Sequence, residues 1–286
     1  MDTHVVIMAG GIGSRLYPIS TPERPKQFID LLKTGKTLIQ MTVDRFLPVC
    51  PMENFWVVTS EKYIHYIREQ LPGLKMSHIL AEPEPRNTAP CIAYACAKIA
   101  EHYPDANVVV TPSDAYVKDV EAFTAVLRSA LDFAADNGRI VTLGIVPDRP
   151  ATEYGYIECG KTVKIPVRKV LSFKEKPSLE VAKAYVDKGN FLWNAGIFVW
   201  SVKTIDEQLR RYAPSIMEIM DKITPSLYTN QESAALRVFF PQCEKISIDY
   251  AVMEKSKDIF TIPCDFMWND LGSFEALESV QARLNK

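Results

Sequence analysis

Phosphate chemistry is written most densely at the start of the chain. There Val5-Val6-Ile7-Met8-Ala9 runs into Gly10-Gly11-Ile12-Gly13-Ser14-Arg15-Leu16, followed by Arg24-Pro25-Lys26-Gln27-Phe28. An apolar run that opens into three glycines reads as a buried parallel strand ending in a loop whose bare backbone can approach a polyphosphate. Arg15 and Lys26 add positive charge that backbone N–H groups alone lack. The pattern matches neither of two common phosphate loops. The fingerprint G-x-G-x-x-G fails because Leu16 stands where its third glycine belongs, and G-x-x-x-x-G-K-[ST] fails because no lysine follows Gly13. Dinucleotide hydride transfer and γ-phosphoryl transfer are therefore disfavoured. The structural alternative, a tight turn after a strand with solvated cations, needs no ligand.

These residues need a frame, and the first half of the chain supplies an alternation of strand and helix. Strand patterns lie at 4–9, 54–59, 77–81, 107–111 and 139–145, and helical patterns at 37–46, 61–70, 88–103 and 120–137. The order predicts an α/β fold with a Rossmann-like mixed, mainly parallel sheet covered by helices on both faces. Ligands of such sheets bind outside the carboxyl ends of the strands, where the glycine loop and Thr111-Pro112-Ser113-Asp114 both fall. The second half is less regular. Strands are expected at 154–160, 169–175, 191–200 and near 259–263, with helices at 179–188, 202–212, around 231–239, around 248–255 and at 273–284. Without a low-complexity linker or a repeat, residues 1–286 read as one catalytic domain, about 1–145 its nucleotide-binding half and about 146–286 a smaller second lobe.

Bulk composition narrows the partners. The 33 basic against 35 acidic residues leave a formal charge of −2, which argues against a nucleic-acid polymer. No apolar run approaches the roughly 18 residues of a membrane span, and the amino terminus has no basic segment of signal-peptide type. The six cysteines are scattered with no C-x-x-C pair, so reduced, buried thiols in a cytoplasmic protein are expected rather than zinc ligands or disulfides.

Six segments, in order, carry a family resemblance. The glycine loop with Tyr17-Pro18 and Arg24-Pro25-Lys26-Gln27-Phe28 resembles the signature of sugar-1-phosphate nucleotidyltransferases. Glu82-Pro83-Glu84-Pro85-Arg86-Asn87-Thr88-Ala89-Pro90 resembles their guanylyl-transferring, mannose-1-phosphate branch. Further matches are Phe173-Lys174-Glu175-Lys176-Pro177, Trp193-Asn194-Ala195-Gly196-Ile197-Phe198, Ser247-Ile248-Asp249-Tyr250-Ala251-Val252-Met253-Glu254-Lys255 and Trp268-Asn269-Asp270-Leu271-Gly272-Ser273. The resemblance implies transfer of GMP from GTP to α-D-mannose 1-phosphate, with GDP-mannose and pyrophosphate as products and Mg²⁺ as cofactor. A homodimer is compatible with it.

The residues suit that chemistry. The attacking phosphate oxygen is already anionic at pH 7, so no general base is needed, and none of the four histidines stands beside a candidate nucleophile. What two repelling anions need is neutralisation and alignment. Arg15 and Lys26 are the catalytic candidates for the triphosphate, with Gly10, Gly11 and Gly13 as backbone contacts. The resemblance pairs Asp114 with Asp270 as metal ligands, and Mg²⁺ commonly takes one or two carboxylates with water and phosphate oxygens. Glu82, Arg86, Asn87 and Thr88 are expected to meet the nucleobase, although Asn87 is equally suited to cap a helix starting at Thr88. Gly155, Glu175, Lys176 and Asn194 are expected on the sugar phosphate. Trp193 and Trp268 read as core rather than as sugar platforms.

Two departures from the family pattern stand out. Relatives commonly carry histidine after the Asp of the Pro-x-Asp segment, where this chain has Ala115. The sequence also ends soon after the last motif, so no β-helix or cupin domain is expected at the carboxyl end. Alternatives are the same chemistry on another pair (GDP-heptose, dTDP- or UDP-sugars) and a non-catalytic GDP-sugar-sensing paralogue. The presence of Arg15, Lys26, Asp114 and Asp270 favours an enzyme over the latter.

Overall fold

In a computed structural model, which describes residues 2–135 and 138–284, the elements follow one another as β1 (Thr3–Met8), α1 (Leu38–Phe46), β2 (Phe55–Ser60), α2 (Ile64–Gln70), β3 (Ile79–Glu82), α3 (Thr88–Ala100), β4 (Asn107–Pro112), β5 (Tyr116–Val117), α4 (Val120–Ala134) and β6 (Ile140–Ile145). The second half adds β7 (Tyr156–Lys164), β8 (Val167–Lys174), α5 (Leu179–Lys188), β9 (Phe191–Ser201), α6 (Val202–Tyr212), α7 (Pro214–Ile223), α8 (Glu232–Phe239), a π-helical turn at Asp249–Met253, β10 (Ile259–Cys264), β11 (Trp268–Asn269) and α9 (Phe274–Leu284). The carboxyl end of the helix expected at 120–137 lies outside the described residues.

Nine strands form one mixed sheet in the order β3-β2-β1-β4-β9-β6-β10-β8-β7. Parallel pairing joins β3, β2, β1 and β4, and again β6 with β10. Every contact of β9, with β4, β6 and β7, is antiparallel, as are β7–β8 and β8–β10. The sheet is mixed, as expected, with its parallel pairing concentrated in β3, β2, β1 and β4 and recurring at β6–β10. The reason is that β9 is inserted between β4 and β6 in the opposite direction. Alternation along the strands sends Val5 and Ile7 to one face and Val6 to the other. The first face packs under α1, α2, α4 and α5 through residues such as Phe46, Ile67, Phe123 and Ala182, and the second under α3, α6, α7 and α8. All six cysteines are buried and free, and no helix among the described residues is long and apolar enough to cross a membrane.

The sequence expectations miss helix α7 and the two short strands β5 and β11. Helix α7 begins directly after α6, with Pro214 in its first turn and Ile216, Met217, Ile219, Met220 and Ile223 buried. Its signal is the proline that fits a first turn and an apolar 3–4 period. The helix expected around 248–255 is a π-turn, closed by the Glu254 N–H donating to the Asp249 carbonyl at 2.9 Å.

A buried ion pair anchors α8 to α3. Lys98 binds Glu232, whose Oε1 also accepts from the Tyr94 hydroxyl (2.9 Å) and whose Oε2 accepts from the Tyr228 N–H (2.8 Å). Removing one partner of such a pair strands the other charge. Glu232→Ala is expected to cost about 3–5 kcal/mol in urea unfolding, and Lys98→Met in the same chain should restore most of that loss.

Candidate active site

The carboxyl ends of β1 and β4 open onto a cleft of about 410 Å³. Its walls include Gly13, Arg15, Lys26, Asp114, Gly155, Glu175, Lys176, Asn194 and Asp270, nine of the residues that the sequence marks as functional. Gly10, Gly11, Glu82, Arg86, Asn87 and Thr88 lie outside this lining.

The glycine loop is held from below. Gln27, fully buried, donates its Nε2 to the carbonyls of Ala9 (3.1 Å) and Gly11 (2.9 Å), and the Ser20 hydroxyl donates to Ile12 (2.8 Å). Three loop carbonyls are thereby tied into the protein. Gly13 has φ +65°, and a methyl group there would meet Ser20 Oγ at 2.8 Å, so only glycine fits. Arg15 follows on a single 3₁₀ turn, exposed beside the cleft.

Asp114 and Asp270 meet because two short strands pair. In the β5–β11 ribbon, Trp268 lies opposite Val117 and Asn269 opposite Tyr116, which carries the loops holding the two carboxylates to the same cleft wall. Lys26 ties those loops. Its Nζ lies 3.1 Å from Asp114 Oδ2 and donates to the carbonyls of Asp270 (2.7 Å) and Leu271 (3.2 Å). The ammonium is therefore held by two hydrogen bonds and one ion pair on the acidic wall. Asp270 Oδ1 accepts from the Tyr154 hydroxyl and the Gly272 N–H, both at 3.0 Å. No group of three or more His, Cys, Asp or Glu residues with metal-site geometry occurs among the described residues. A pair of hard carboxylates facing an open cleft is a donor set that fits Mg²⁺ with substrate oxygens completing its shell.

The same cleft holds a second polar group. A methyl on Gly155 would fall 2.7 Å from Glu175 Oε2, so the bare backbone there lets the carboxylate lie flat against it. Lys176 reaches Glu175 at 3.1 Å. Asn194 donates to Asp249 Oδ1 (2.8 Å) and accepts from the Gly196 N–H (3.1 Å), so its amide is engaged in orienting Asp249. Burial, then the Glu175 charge, push the Asp249 carboxyl up to about 6.

The segment expected at the nucleobase lies behind the glycine loop. Asn87 caps α3 by accepting from the Thr88 N–H at 3.1 Å, and the Thr88 hydroxyl accepts from the Ile248 N–H at 2.8 Å. Arg86 binds Glu84 at 2.6 Å. Glu82 is different: it is 7% exposed, its Oε1 has no partner, and a methyl on Gly10 would lie 3.5 Å from its Oε2. Burial raises its pKa to about 8.

Three residues of the site were not singled out by the sequence: Gln27, Tyr154 and Asp249. Asp249 sits inside a quoted motif without an assigned role. Tyr154 packs edge-on against Trp193 and Trp268 at 5.0 and 5.2 Å. Both tryptophans are buried, as expected for core.

An α/β fold with a polar cleft at the ends of its parallel strands defines the class, and the sequence profile of the nucleotidyl transferase family matches residues 4–286. The chain belongs to that family. It is similar to mannose-1-phosphate guanylyltransferase of Escherichia coli K12, 38% identical over 288 residues that span 97% of this chain and 59% of that protein. It is equally similar to the xanthan biosynthesis protein XanB of Xanthomonas campestris, 38% identical over 282 residues, 98% of this chain and 59% of that one. The chain thus spans about three fifths of the length of these curated relatives. The crystal structure described as mannose-1-phosphate geranyltransferase from Thermus thermophilus superposes with a TM-score of 0.89 at 35% identity, covering 98% of this chain and 79% of that one.

Glu82 yields a pH prediction. Below about pH 4.5 its carboxyl is protonated in both states; from there to about pH 8 the folded chain keeps a proton that the unfolded chain has lost. Its contribution therefore lowers stability as pH rises through that window. Glu82→Gln is expected to be about 1–3 kcal/mol more stable than the parent at pH 7, with the gain vanishing near pH 4. Urea unfolding at both pH values measures it, and an equal gain at both would exclude this account.

Proposed function

We propose that the protein transfers GMP from GTP to α-D-mannose 1-phosphate, giving GDP-mannose and pyrophosphate. The observation that carries this reading is the convergence in one cleft of Arg15, Lys26 and the Asp114–Asp270 pair on one side with Gly155, Glu175, Lys176 and Asn194 on the other. The mannose-1-phosphate guanylyltransferase relative adds support for the choice of substrates.

In the reaction an oxygen of the sugar phosphate bonds to the α-phosphorus of GTP. The bond from that phosphorus to the αβ-bridging oxygen breaks, and pyrophosphate leaves with the electron pair. Because the nucleophile is already an anion, the site has only to hold two anions in line. Arg15 and the N–H groups of Gly10, Gly11 and Gly13 bind the triphosphate, and Lys26 contributes its charge from the acidic wall. Asp114 and Asp270 would hold Mg²⁺, which when bound neutralises phosphate charge and helps orient the oxygens. Lys176 meets the sugar phosphate, while Glu175 and Asp249 accept from sugar hydroxyls. Glu82 offers a buried acceptor beside Gly10, suited to the N1–H and amino group of guanine. In this reading Arg86, Asn87 and Thr88 support that segment rather than bind the base themselves.

A panel of GTP, ATP, UTP and dTTP against several sugar 1-phosphates, scored by pyrophosphate release, tests the reading. GTP with mannose 1-phosphate should be fastest. Equal rates with UTP would sink the guanylyl assignment, and GDP-sugar binding without turnover of any pair would point to a regulatory paralogue. Asp270→Asn is expected to lower turnover by about 10²–10³-fold with an unchanged circular dichroism spectrum.

A further inference from the structure

The reaction as read above makes no use of Arg45, the most deeply placed cation in the nucleotide half. It sits in the last turn of α1, 3% exposed, with its guanidinium 5.6 Å from the ring centre of Phe46 and 5.4 Å from that of Phe123. No carboxylate forms an ion pair with it among the described residues, and its Nε has no partner. A buried unpaired guanidinium costs several kcal/mol, whereas an aliphatic chain would fill the same space at lower cost. Something must offset the penalty.

The hydrogen bonds show what it holds. Arg45 Nη1 donates to the carbonyl of Ala115 at 3.0 Å. Arg45 Nη2 donates to the Thr42 hydroxyl at 3.2 Å, and that hydroxyl donates to the carbonyl of Ser113 at 3.3 Å. Thr42 is itself fully buried. The two carbonyls gripped by α1 are those immediately before and after Asp114. The Ser113 carbonyl lies in the peptide plane that leads into Asp114 and the Ala115 carbonyl in the plane one residue beyond it, so α1 restrains the chain on both sides of Asp114 and with it the direction of the Cα–Cβ bond that carries the carboxylate. The charges are coupled as well: burial lowers the Arg45 pKa to about 10, against the opposing pull of the Asp114 carboxylate.

We propose that Arg45, acting with Thr42, is a positioning residue for Asp114 and tunes the affinity of the cleft for a divalent cation. The proposal rests on the reading of Asp114 as a metal ligand. It also gives the buried Ala115 position a role that its methyl group cannot supply, since the backbone carbonyl there is the atom under control. Supports of this kind around a metal ligand are worth about 10–100-fold in metal affinity.

The test uses the full chain with GTP and Mn²⁺, without sugar phosphate, and reads bound Mn²⁺ by electron paramagnetic resonance. Asp114→Asn examines the underlying assignment: unchanged Mn²⁺ affinity in that variant would remove Asp114 as a ligand, whatever Arg45 does. Provided Asp114→Asn weakens binding, Arg45→Met and Thr42→Val should each weaken it about 10-fold or more, and Thr42→Ser should restore it. Phe133→Leu, a core truncation on α4, should lower the unfolding midpoint while leaving Mn²⁺ affinity alone. In the double variant Arg45→Met/Asp114→Asn the loss should equal that of Asp114→Asn alone. Additive losses, or a Thr42→Val variant within 2-fold of the parent, would overturn the proposal. If Arg45→Met does not fold, the Thr42 pair decides, because it removes a hydroxyl and leaves the guanidinium in place.

Discussion

Two carboxylates on one wall of a cleft repel each other, and the arrangement around Asp114 and Asp270 is organised to withstand that repulsion. The Lys26 ammonium is the central tie: it pairs with Asp114 and donates to the backbone of Asp270 and Leu271. The β5–β11 ribbon fixes the two loops in register, and the Tyr154 hydroxyl with the Gly272 N–H occupies one oxygen of Asp270. Without the lysine the loops that carry the two carboxylates would lose the contact that joins them. The glycine loop depends on the same segment, because Gln27, next to Lys26, holds the carbonyls of Ala9 and Gly11. One short stretch after β1 thus supports both the loop and the acid pair.

Legibility in the sequence followed the range of the interactions. The glycine loop, the strand that feeds it and the β1-β2-β3-β4 alternation could be read because periodicity and turn chemistry are local. The Asn87 cap was legible for the same reason. The direction of β9 was not, since nothing within Phe191–Ser201 states which neighbours it will choose. Tyr154 fell at the start of an expected strand, and only folding across more than a hundred residues brings its hydroxyl to Asp270. Asp249 needed the π-turn, in which Ala251, Val252 and Met253 are buried while the acid faces the cleft. Lys26 was recognised as a cation of the site, but its engagement with the Asp270 and Leu271 carbonyls is a tertiary fact.

The two ends of the cleft differ in how firmly their groups are held. On the acidic wall the Lys26 ammonium is held by Asp114 and two carbonyls, whereas Arg15 is exposed and Lys176, also exposed, lies against its neighbour Glu175. A fixed charge is prepared in advance and loses little entropy on binding; a long, exposed side chain must be ordered by its ligand. Glu82, buried and keeping its proton to about pH 8, is also in place before a ligand arrives and carries a stability penalty for its burial, a pattern common where a buried polar group is kept for a binding partner.

Strand β9 also bears on how such a chain is made. Its hydrogen bonds run to β4 on one side and to β6 and β7 on the other, and the remaining neighbour of β6 is β10. A nascent chain that has emerged only through β6 therefore carries one open edge on β4 and a strand with no partner at all. Both are apolar: Asn107–Pro112 and Ile140–Ile145 are almost wholly buried in the finished sheet. Neither edge is covered until Phe191–Ser201 has left the ribosome, and β6 waits longer still for Ile259–Cys264. Synthesis thus passes through a long interval in which the sheet is exposed to pairing with other chains. The antiparallel insertion that completes the cleft thus leaves the amino-terminal half of the sheet unsealed until Phe191–Ser201 has joined it.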